Sequence, residues 1–396
     1  MTNKNFKQYI YIYILSIITN LSLVALFNLI VDPLYIFRLV EIEGFNAYKP
    51  KIDTLGMRTT KSIDVTKKDH DTLILGTSRA LYGLDPLAPS LINKSTYNAG
   101  LIATNMYEIH KVFELALQNK NLKTIIISLD FLAFSNHRKL NLDFNTSRFA
   151  TKYFLLLNVH RLISLQNFGY SWQTIIYNFN SISLKKFYTK QGFRQVKDEY
   201  IPHRELFIEL SNWFLDQPSL FSYSQERLIL FKEILEKCHQ NNIELYIFTS
   251  PVHARHLEVM RMLEKYTIFE QWKRDLVNTI QQVNQQYPNK APFLLFDFTG
   301  YNSITTETIP AKDSQEQMKW YTESSHYKKE LGNLVLDIVL NYPSRNDNIP
   351  DDFGILINNN NIESHLANIR SQQRKYHENL SHELIEIEEL AKKNHQ

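Results

Sequence analysis

A chain of 396 residues is long enough for a sizeable α/β core with an added layer. Its 44 lysines and arginines nearly balance its 41 aspartates and glutamates, and no basic run carries interleaved aromatic residues, so the sequence predicts no nucleic-acid partner. The single cysteine, Cys238, excludes an internal disulfide and a multi-cysteine metal site, and it leaves the redox compartment open.

The N-terminal segment is apolar enough to cross a membrane. Residues 9–31 carry no charged side chain, and at ~1.5 Å per residue they are long enough for a hydrocarbon layer of ~30 Å. Lys4 and Lys7 precede this stretch and the first basic residue beyond it is Arg38, so the positive-inside rule places the N-terminus in the cytoplasm. The sequence therefore predicts that residues 1–31 form a cytoplasmic stub and a single transmembrane helix in the cell membrane.

Two other interpretations of this segment stay open. A cleaved signal peptide usually has a shorter apolar region and a small-x-small cleavage site, which this segment lacks. A buried core helix fits poorly, because Asp32 and Pro33 end the segment abruptly. If the helix is a retained anchor, the lipid bilayer is a partner and the rest of the chain is expected outside the cytoplasm, in a periplasm or on the outer surface.

Beyond the anchor, short apolar runs alternate with amphipathic helical patterns. Residues 32–70 show no clear period and are predicted to be a membrane-proximal connector. Strands are predicted over residues 72–75, 95–98, 123–129, 243–248 and 293–298. Helices are predicted over residues 106–117, about 224–238, 256–285 and 331–340. This alternation predicts a three-layer α/β domain over residues 71–343, with a parallel sheet of flavodoxin-like topology.

Two segments depart from this alternation. Residues 131–223 are rich in aromatic side chains and are predicted to form a mostly helical insertion, which is either a substrate lid or ordinary core. Residues 344–396 are predicted to be a polar linker followed by a C-terminal amphipathic helix, since apolar residues recur at a nearly helical period between residues 362 and 387. This last helix is expected to pack on its own domain, and a short coiled-coil contact is the alternative.

One candidate for chemistry is a serine at the end of the first strand. Residues 73–75 are apolar, and they are followed by Gly76, Thr77 and Ser78. Such a turn lifts a hydroxyl to the carboxyl edge of a parallel sheet, where open α/β folds bind their ligands. The alternative is an ordinary strand-ending turn, which also favours glycine, serine and threonine.

The second candidate is a histidine near the other end of the domain. Glu323 stands three residues before His326, in a predicted loop that enters an apolar helix. A carboxylate at that place can orient and polarise the imidazole that a serine nucleophile requires. A lone loop histidine is more often a surface residue, and it is the conjunction of both segments on one α/β frame that favours a catalytic site.

Together these segments resemble the SGNH (GDSL-like) hydrolase superfamily over residues 71–340. The similar blocks are Gly76-Thr77-Ser78-Arg79, Tyr97-Asn98-Ala99-Gly100 and Glu323-Ser324-Ser325-His326-Tyr327. The likeness is strongest to membrane-anchored members that acylate or deacylate cell-surface polymers, such as alginate O-acetylation proteins and the D-alanyl transfer protein of teichoic acid synthesis. The resemblance implies the SGNH hydrolase fold and a cell-surface glycan or other acyl-carrying substrate.

Carried over to this chain, the resemblance implies a role for each matching residue. Ser78 is the nucleophile, His326 the general base and Glu323 the carboxylate, while the N–H groups of Ser78 and Gly100 form the oxyanion hole. Two positions depart from the family pattern. The usual carboxylate is an aspartate, which is one methylene shorter than Glu323, and the third block usually supplies an asparagine where this chain has Asp130, whose anionic side chain cannot donate to an oxyanion.

Neighbouring polar residues are candidates for substrate binding. They are Arg79, Asn98, Asp130 and His253, with Arg255 close to the last of them. Arg79 either binds an anionic group of the substrate or forms a salt bridge with Asp85 or Asp130. His253 and Arg255 are either substrate contacts or exposed loop residues.

The sequence offers less support for other carboxylates, metal sites and cofactors. Asp297 is a substitute carboxylate if Glu323 points away from the histidine. The sequence contains no spacing typical of a metal site and no glycine-rich phosphate loop. Acyl transfer through a serine needs no cofactor, so none is predicted.

The sequence therefore predicts serine-dependent acyl transfer, by an O-acyltransferase or an esterase that acts on a cell-surface glycan or polymer. The alternative from another class is a catalytically silent envelope accessory protein, which binds polymer or a membrane acyltransferase partner through the insertion and the terminal helix. Replacement of Ser78 by alanine abolishes function in the first case and leaves it intact in the second.

Overall fold

The structure, a computed structural model, describes residues 3–67, 69–180, 188–195, 201–342, 350–379 and 381–394. The chain forms two compact units. We call them the N-terminal unit, Met1–Asp64 with Leu142–Phe187, and the sheet unit, Val65–Asn141 with Tyr188–Gln396. The insertion predicted over residues 131–223 is therefore shared between the two units.

The helices and strands follow one another along both units. The helices of the described residues are α1 (Asn3–Val31), α2 (Met57–Asp64), α3 (Ser78–Gly83), α4 (Met106–Ala116), α5 (Phe154–Ile163), α6 (Leu165–Asn180), α7 (His203–Leu215), α8 (Gln225–Gln240), α9 (Ala254–Met262), α10 (Tyr266–Gln286), α11 (Lys329–Val339), α12 (Ile362–Asn379) and α13 (Ser381–Asn394). The strands are β1 (Thr72–Leu75), β2 (Thr96–Asn98), β3 (Thr124–Leu129), β4 (Glu244–Thr249), β5 (Leu295–Asp297) and β6 (Ile355–Ile357).

The sheet unit is built around one six-stranded sheet in the order β2-β1-β3-β4-β5-β6. Its first five strands are parallel to their neighbours, and β6 runs antiparallel to β5. All residues of β1 and β3 are buried, as expected for central parallel strands whose two faces are both covered. The predicted α/β class and mostly parallel sheet are confirmed.

The observed bounds of the strands agree closely with those predicted from the sequence, and those of one helix do not. β1 coincides with its predicted range, and β2, β3 and β4 start within one residue of theirs. The helix predicted over residues 256–285 is two helices, α9 and α10. Glu264 lies between them with a left-handed φ of 57°, which breaks the helical backbone.

The C-terminal segment holds a strand that the sequence analysis treated as linker. β6 pairs with β5 and covers the edge of the sheet that β5 would otherwise expose. Residues 343–349 of the predicted linker lie outside the described residues. Within the sheet unit, Arg370 of α12 pairs with Glu270 at 2.7 Å and Arg255 of α9 pairs with Glu383 of α13 at 2.6 Å. The C-terminal helices therefore pack on their own domain, as predicted.

The N-terminal unit contains α1, α2, α5 and α6. Of the described residues, Phe6–Val31 is the one helical stretch long and apolar enough to cross a membrane. The predicted connector after it is ordered: Asp32 accepts the backbone N–H of Ile36 at 2.8 Å, and Arg38 binds both carboxylate oxygens of Asp64 at 2.7 and 2.8 Å. These contacts fix the turn at the end of α1 within this unit.

Candidate active site

The first component of the site is the turn between β1 and α3. Ser78 is the first residue of α3 and is half-buried, at the carboxyl end of β1. A Cβ atom at Gly76 would lie 2.7 Å from the Cβ of Ala80 and 3.1 Å from that of Ser128, so a side chain at this position cannot be accommodated. The glycine thus lets the chain turn sharply and raises the Ser78 hydroxyl at the sheet edge, as the sequence predicted.

A chain of hydrogen bonds links Ser78 to the second predicted segment. Ser78 Oγ lies 2.8 Å from His326 Nε2, although the two residues are 248 positions apart. The other ring nitrogen, His326 Nδ1, bonds to Glu323 Oε1. Because a carboxylate can only accept, Nδ1 carries the proton and Nε2 offers its lone pair to the hydroxyl. The structure therefore brings the three predicted residues together in the order that base catalysis needs.

The loop around Glu323 holds the carboxylate in place. Its Oε2 accepts the backbone N–H of Ser325 at 2.7 Å, and its Oε1 accepts that of His326 at 3.0 Å. The extra methylene of a glutamate is thus accommodated by a tight loop that binds both oxygens. The imidazole of His326 is partly exposed and the carboxylate is nearly buried, so a substrate can reach the histidine without displacing Glu323.

The side chain of Arg79 links three segments of the site. It is buried, and its Nη1 lies 2.7 Å from Asp130 Oδ1, while its Nε donates to the Ser325 carbonyl at 3.0 Å and its Nη2 to the Ser325 hydroxyl at 2.9 Å. The second oxygen of Asp130 accepts the hydroxyl of Thr77. The predicted salt bridge with Asp130 is confirmed. Substrate contacts by Arg79 and Asp130 do not fit this placement, because each side chain is buried and bound to its neighbours.

Asn98 and Gly100 are also bound to each other. The buried Asn98 amide donates to the carbonyls of Ala80 and Leu84, both at 2.8 Å, and its oxygen accepts the Gly100 N–H at 2.8 Å. Asn98 therefore satisfies carbonyls at the end of α3 and is not open to substrate. The Gly100 N–H, predicted as an oxyanion donor, is directed to Asn98 in this structure.

His253 and Arg255 differ from both interpretations of the sequence, because they are buried structural groups. His253 caps α9 through Nδ1, which accepts the Arg255 N–H at 3.2 Å, and its Nε2 donates to the Glu307 carbonyl at 2.7 Å. Burial lowers the pKa of His253 to about 4. Arg255 pairs with Glu383, and it also donates to the Ser211 hydroxyl at 3.1 Å. Neither side chain is an exposed loop residue or a substrate contact.

Asp297 does not replace Glu323. Its oxygens bind Lys273 and His365, each at 2.7 Å, and the hydroxyl of Thr299 at 2.8 Å. Burial alone would raise the pKa of this carboxyl, but the Lys273 ammonium and His365 hold it well below its ordinary range. Asp297 is thus a buried anchor between α10, β5 and α12.

The sequence did not indicate an aromatic neighbour of His326, or the cation beside it. The Tyr82 ring meets His326 edge-on, with centroids 5.2 Å apart, and the guanidinium of Arg194 lies 5.0 Å from the Tyr82 ring centre. The signal for Tyr82 was its spacing, since it follows Ser78 by one helical turn. His256 was also missed: its Nε2 lies 3.3 Å from Arg79 Nη2. Burial, followed by the charges of Arg79 and His326, keeps the pKa of His256 well below its ordinary value.

Within the described residues, no three histidine, cysteine, aspartate or glutamate side chains are grouped to hold a metal ion. No protein-family model, no curated protein and no solved structure matches this chain. The geometry of Ser78, His326 and Glu323 is therefore the basis for a functional proposal.

Proposed function

We propose that this protein carries out serine-dependent acyl transfer, with Ser78 as the nucleophile. The observation that carries the proposal is the continuous hydrogen-bonded chain from Ser78 through His326 to Glu323. Its position supports the same conclusion, because Ser78 follows the carboxyl end of β1, beside the neighbouring strands β2 and β3. The order β2-β1-β3-β4-β5 is that of flavodoxin-like sheets, which bind ligands at this edge, and it supports the proposal of an SGNH hydrolase fold.

The proposed chemistry follows from the hydrogen-bond directions. Ser78 Oγ attacks the acyl carbonyl while His326 Nε2 takes its proton, and Glu323 stabilises the imidazolium that results. The proton then passes to the leaving alcohol as the acyl bond to that alcohol breaks, leaving the acyl group on Ser78. Water or a sugar hydroxyl next gives its proton to His326 and attacks the acyl group, and His326 returns that proton to Ser78 Oγ as the acyl–serine bond breaks, which restores the free serine.

The developing oxyanion has one available donor in this arrangement. The Ser78 N–H is the first of α3 and has no acceptor within the helix, as holds for the first N–H groups of any helix. The Gly100 N–H joins it only if the contact with Asn98 is exchanged for the oxyanion. Since loss of one such donor costs about 100- to 1,000-fold in rate, we expect weak hydrolysis until substrate binding rearranges this turn.

The same observation favours a second candidate function, the catalytically silent accessory protein. A site with one oxyanion donor fits a protein that binds an acyl-bearing polymer, or a membrane acyltransferase, without turning it over. The two functions separate in cells that carry Ser78→Ala. Loss of polymer acylation with normal amounts of protein supports the enzyme, and normal acylation supports the accessory protein.

We further propose that the chain is retained in the cell membrane by α1, with its N-terminus in the cytoplasm and the site outside. Lys4 and Lys7 precede the apolar stretch. Retention is supported by the end of α1, because the Asn46 amide donates to the Ile30 carbonyl at 3.0 Å and the Lys49 ammonium to the Val31 carbonyl at 2.7 Å. Removal of α1 as a signal peptide would take away the Val31 carbonyl that Lys49 binds, and it would leave the Asn46 amide with the Val40 carbonyl alone. Such a location suits a cell-surface glycan as acceptor.

The first test is covalent labelling of the full-length protein in detergent with a fluorophosphonate. We expect the wild type to label and Ser78→Ala and His326→Ala to lose labelling. Ser222→Ala is the matched control, because Ser222 also contacts a histidine (His137 Nδ1, 3.0 Å) but donates its proton to Asn136. Labelling that survives Ser78→Ala, or that is absent from a folded wild type, counts against the enzyme.

The second test separates transfer from hydrolysis. The full-length protein that reacts with the fluorophosphonate is incubated with an acyl ester and a glycan acceptor. The product is acylated glycan if the protein is a transferase, and free acid if it is an esterase. Ser78→Ala again sets the background for both products.

A further inference from the structure

Helix α6 has a stripe of polar side chains inside and large apolar side chains outside, where Gln166 and Gln173 are also exposed. Its buried residues Asn167, Ser171, Thr174 and Asn178 form one stripe along the helix. Its exposed large residues are Leu165, Phe168, Trp172, Ile176 and Phe179, the last of them 75% exposed. A helix on the surface of a water-soluble protein shows the opposite pattern. The outer face of α6 is therefore built for an apolar medium.

Helix α5 presents a similar face. Leu155, Leu156, Val159 and Ile163 are exposed, Leu155 to 80%, while Asn158 is buried. Together with α6, this gives two consecutive helices whose large apolar side chains are exposed, beside the exposed polar residues His160 and Gln166. A soluble monomer rarely exposes such a surface without a ligand or a membrane to cover it.

The inward polar groups of this pair are satisfied within the N-terminal unit. The Asn28 amide of α1 donates to the Leu162 carbonyl at 2.8 Å and the Ser164 carbonyl at 3.2 Å, and its oxygen accepts the Ser171 hydroxyl at 2.9 Å. Asn178 donates to the Tyr48 carbonyl at 2.8 Å. Such internal pairing is what a structure surrounded by hydrocarbon requires.

The apolar surface of the pair continues the surface of α1. Phe27 of α1 contacts Phe168 of α6, with ring centroids 5.0 Å apart. Beside this contact, Leu21, Leu23 and Leu26 of α1 are exposed. A bilayer that covers α1 near its C-terminal end thus meets α5 and α6 as well.

We propose that α5 and α6 are embedded in the lipid bilayer beside the last turns of α1, so that the chain has a second membrane-inserted element. At ~1.5 Å per residue, the 16 residues of α6 reach about 24 Å and the 10 of α5 about 15 Å, both short of the ~30 Å hydrocarbon layer. The pair therefore enters the hydrocarbon layer without crossing it. This placement replaces the lid interpretation for residues 154–180.

The charged and aromatic residues of this segment agree with a lipid bilayer as its surroundings. Residues 144–180 contain Arg148, Lys152 and Arg161 but no aspartate or glutamate, so no carboxylate opposes insertion of this segment into the bilayer. Trp172 and Tyr177 are exposed on α6, and these residue types concentrate where a bilayer meets water. The proposal rests on α1 as a membrane helix and is independent of the chemistry at Ser78.

The test places a fluorophore on single cysteines of the full-length chain in phosphatidylcholine–phosphatidylglycerol vesicles. The background is Cys238→Ser, and the positions are Leu155→Cys, Trp172→Cys, Leu15→Cys on α1 as the membrane control, and Ile229→Cys on α8 as the water control. Both controls are exposed side chains. If Cys238→Ser impairs folding, the native Cys238 is kept, because it is fully buried and does not label in the folded protein.

We expect lipids with brominated acyl chains to remove most of the emission at residues 155, 172 and 15, and none at 229. Quenching at residue 15 alone overturns the proposal and leaves the anchor intact. Quenching at none of the positions overturns both. If the face instead joins two copies of the chain, emission at residue 172 is blue-shifted but insensitive to bromine, and the proposal also fails.

Discussion

The two units bury polar side chains in different surroundings. In the sheet unit, Arg79 and Asp130 are buried where the ends of β1 and β3 meet the His326 loop, and they hold these segments together. In the N-terminal unit, Asn28 and Ser171 are buried between α1 and α6, while the outer faces of both helices are apolar. In the sheet unit the buried polar pair lies within a water-soluble type of core, whereas in the N-terminal unit the polar contacts lie behind an apolar outer face, which is the pattern behind the proposed membrane contact.

The largest expected effect tests the buried pair of the sheet unit. Arg79→Met leaves the Asp130 carboxylate buried without its cation, which costs about 3–5 kcal/mol of unfolding free energy. Denaturant unfolding of the full-length protein in detergent measures this loss. The matched control is Arg274→Met, because its partner Glu363 is exposed and its second partner Glu270 keeps Arg370, so a much smaller loss is expected. Equal effects of the two variants contradict the structural role given to Arg79.

The second effect is a pH dependence of the same unit. The folded pKa of His253 is about 4, below its ordinary 6.5, because burial disfavours the charged ring. Its contribution to stability is complete above pH 6.5, and it declines as the pH falls toward 4, because only the unfolded chain then takes up the proton. The full decline corresponds to about 3 kcal/mol.

His253→Gln removes this titration, so its unfolding free energy should fall less steeply between pH 6.5 and 4 than that of the wild type. His137→Gln is the control, because His137 is exposed. A wild-type slope in His253→Gln means that His253 is not the buried neutral group that the structure shows.

The sequence sufficed to predict the parts of the sheet unit that depend on local pattern. β1 and β3 are continuous apolar runs because helices cover both of their faces, and such runs are recognisable without tertiary knowledge. Ser78 and His326 were found because their chemistry imposes residue types at fixed spacings. Their proximity followed from placing both at one edge of a parallel sheet.

The failures involve residues whose partners are distant in sequence. Asn98 and His253 were candidates for substrate binding, yet each is buried and donates to a carbonyl of another segment, at Ala80 and Glu307. β6 has three residues and no pattern of its own, and it becomes a strand because the edge of β5 is open to it. In α6 the aromatic residues were interpreted as part of a substrate lid or as core, because their type does not tell which medium they face.

A smaller effect tests the polar contact of the N-terminal unit. Asn28→Ala removes three hydrogen bonds that link α1 to the end of α5, to Ser164 and to Ser171 of α6, and interhelical bonds in membranes are worth roughly 0.6 kcal/mol each on average. We expect faster amide hydrogen exchange in α6. Asn20→Ala is the matched control, since Asn20 is exposed on the same helix and bonds only to Ser16. Faster exchange in both variants, or in neither, contradicts the role of Asn28.

The smallest effect tests the outer face of α6 itself. A Cβ at Gly169 would meet no atom within 4 Å, so Gly169→Ala should stabilise the helix by about 0.5–1 kcal/mol through its better helix propensity. Slower hydrogen exchange in α6 is the expected result. Gly332→Ala gives the opposite sign, because a Cβ there would lie 1.7 Å from the Gly83 carbonyl oxygen, inside the sheet unit. If Gly169→Ala loosens α6 instead, a closely packed protein partner covers that face, and fluid lipid chains do not.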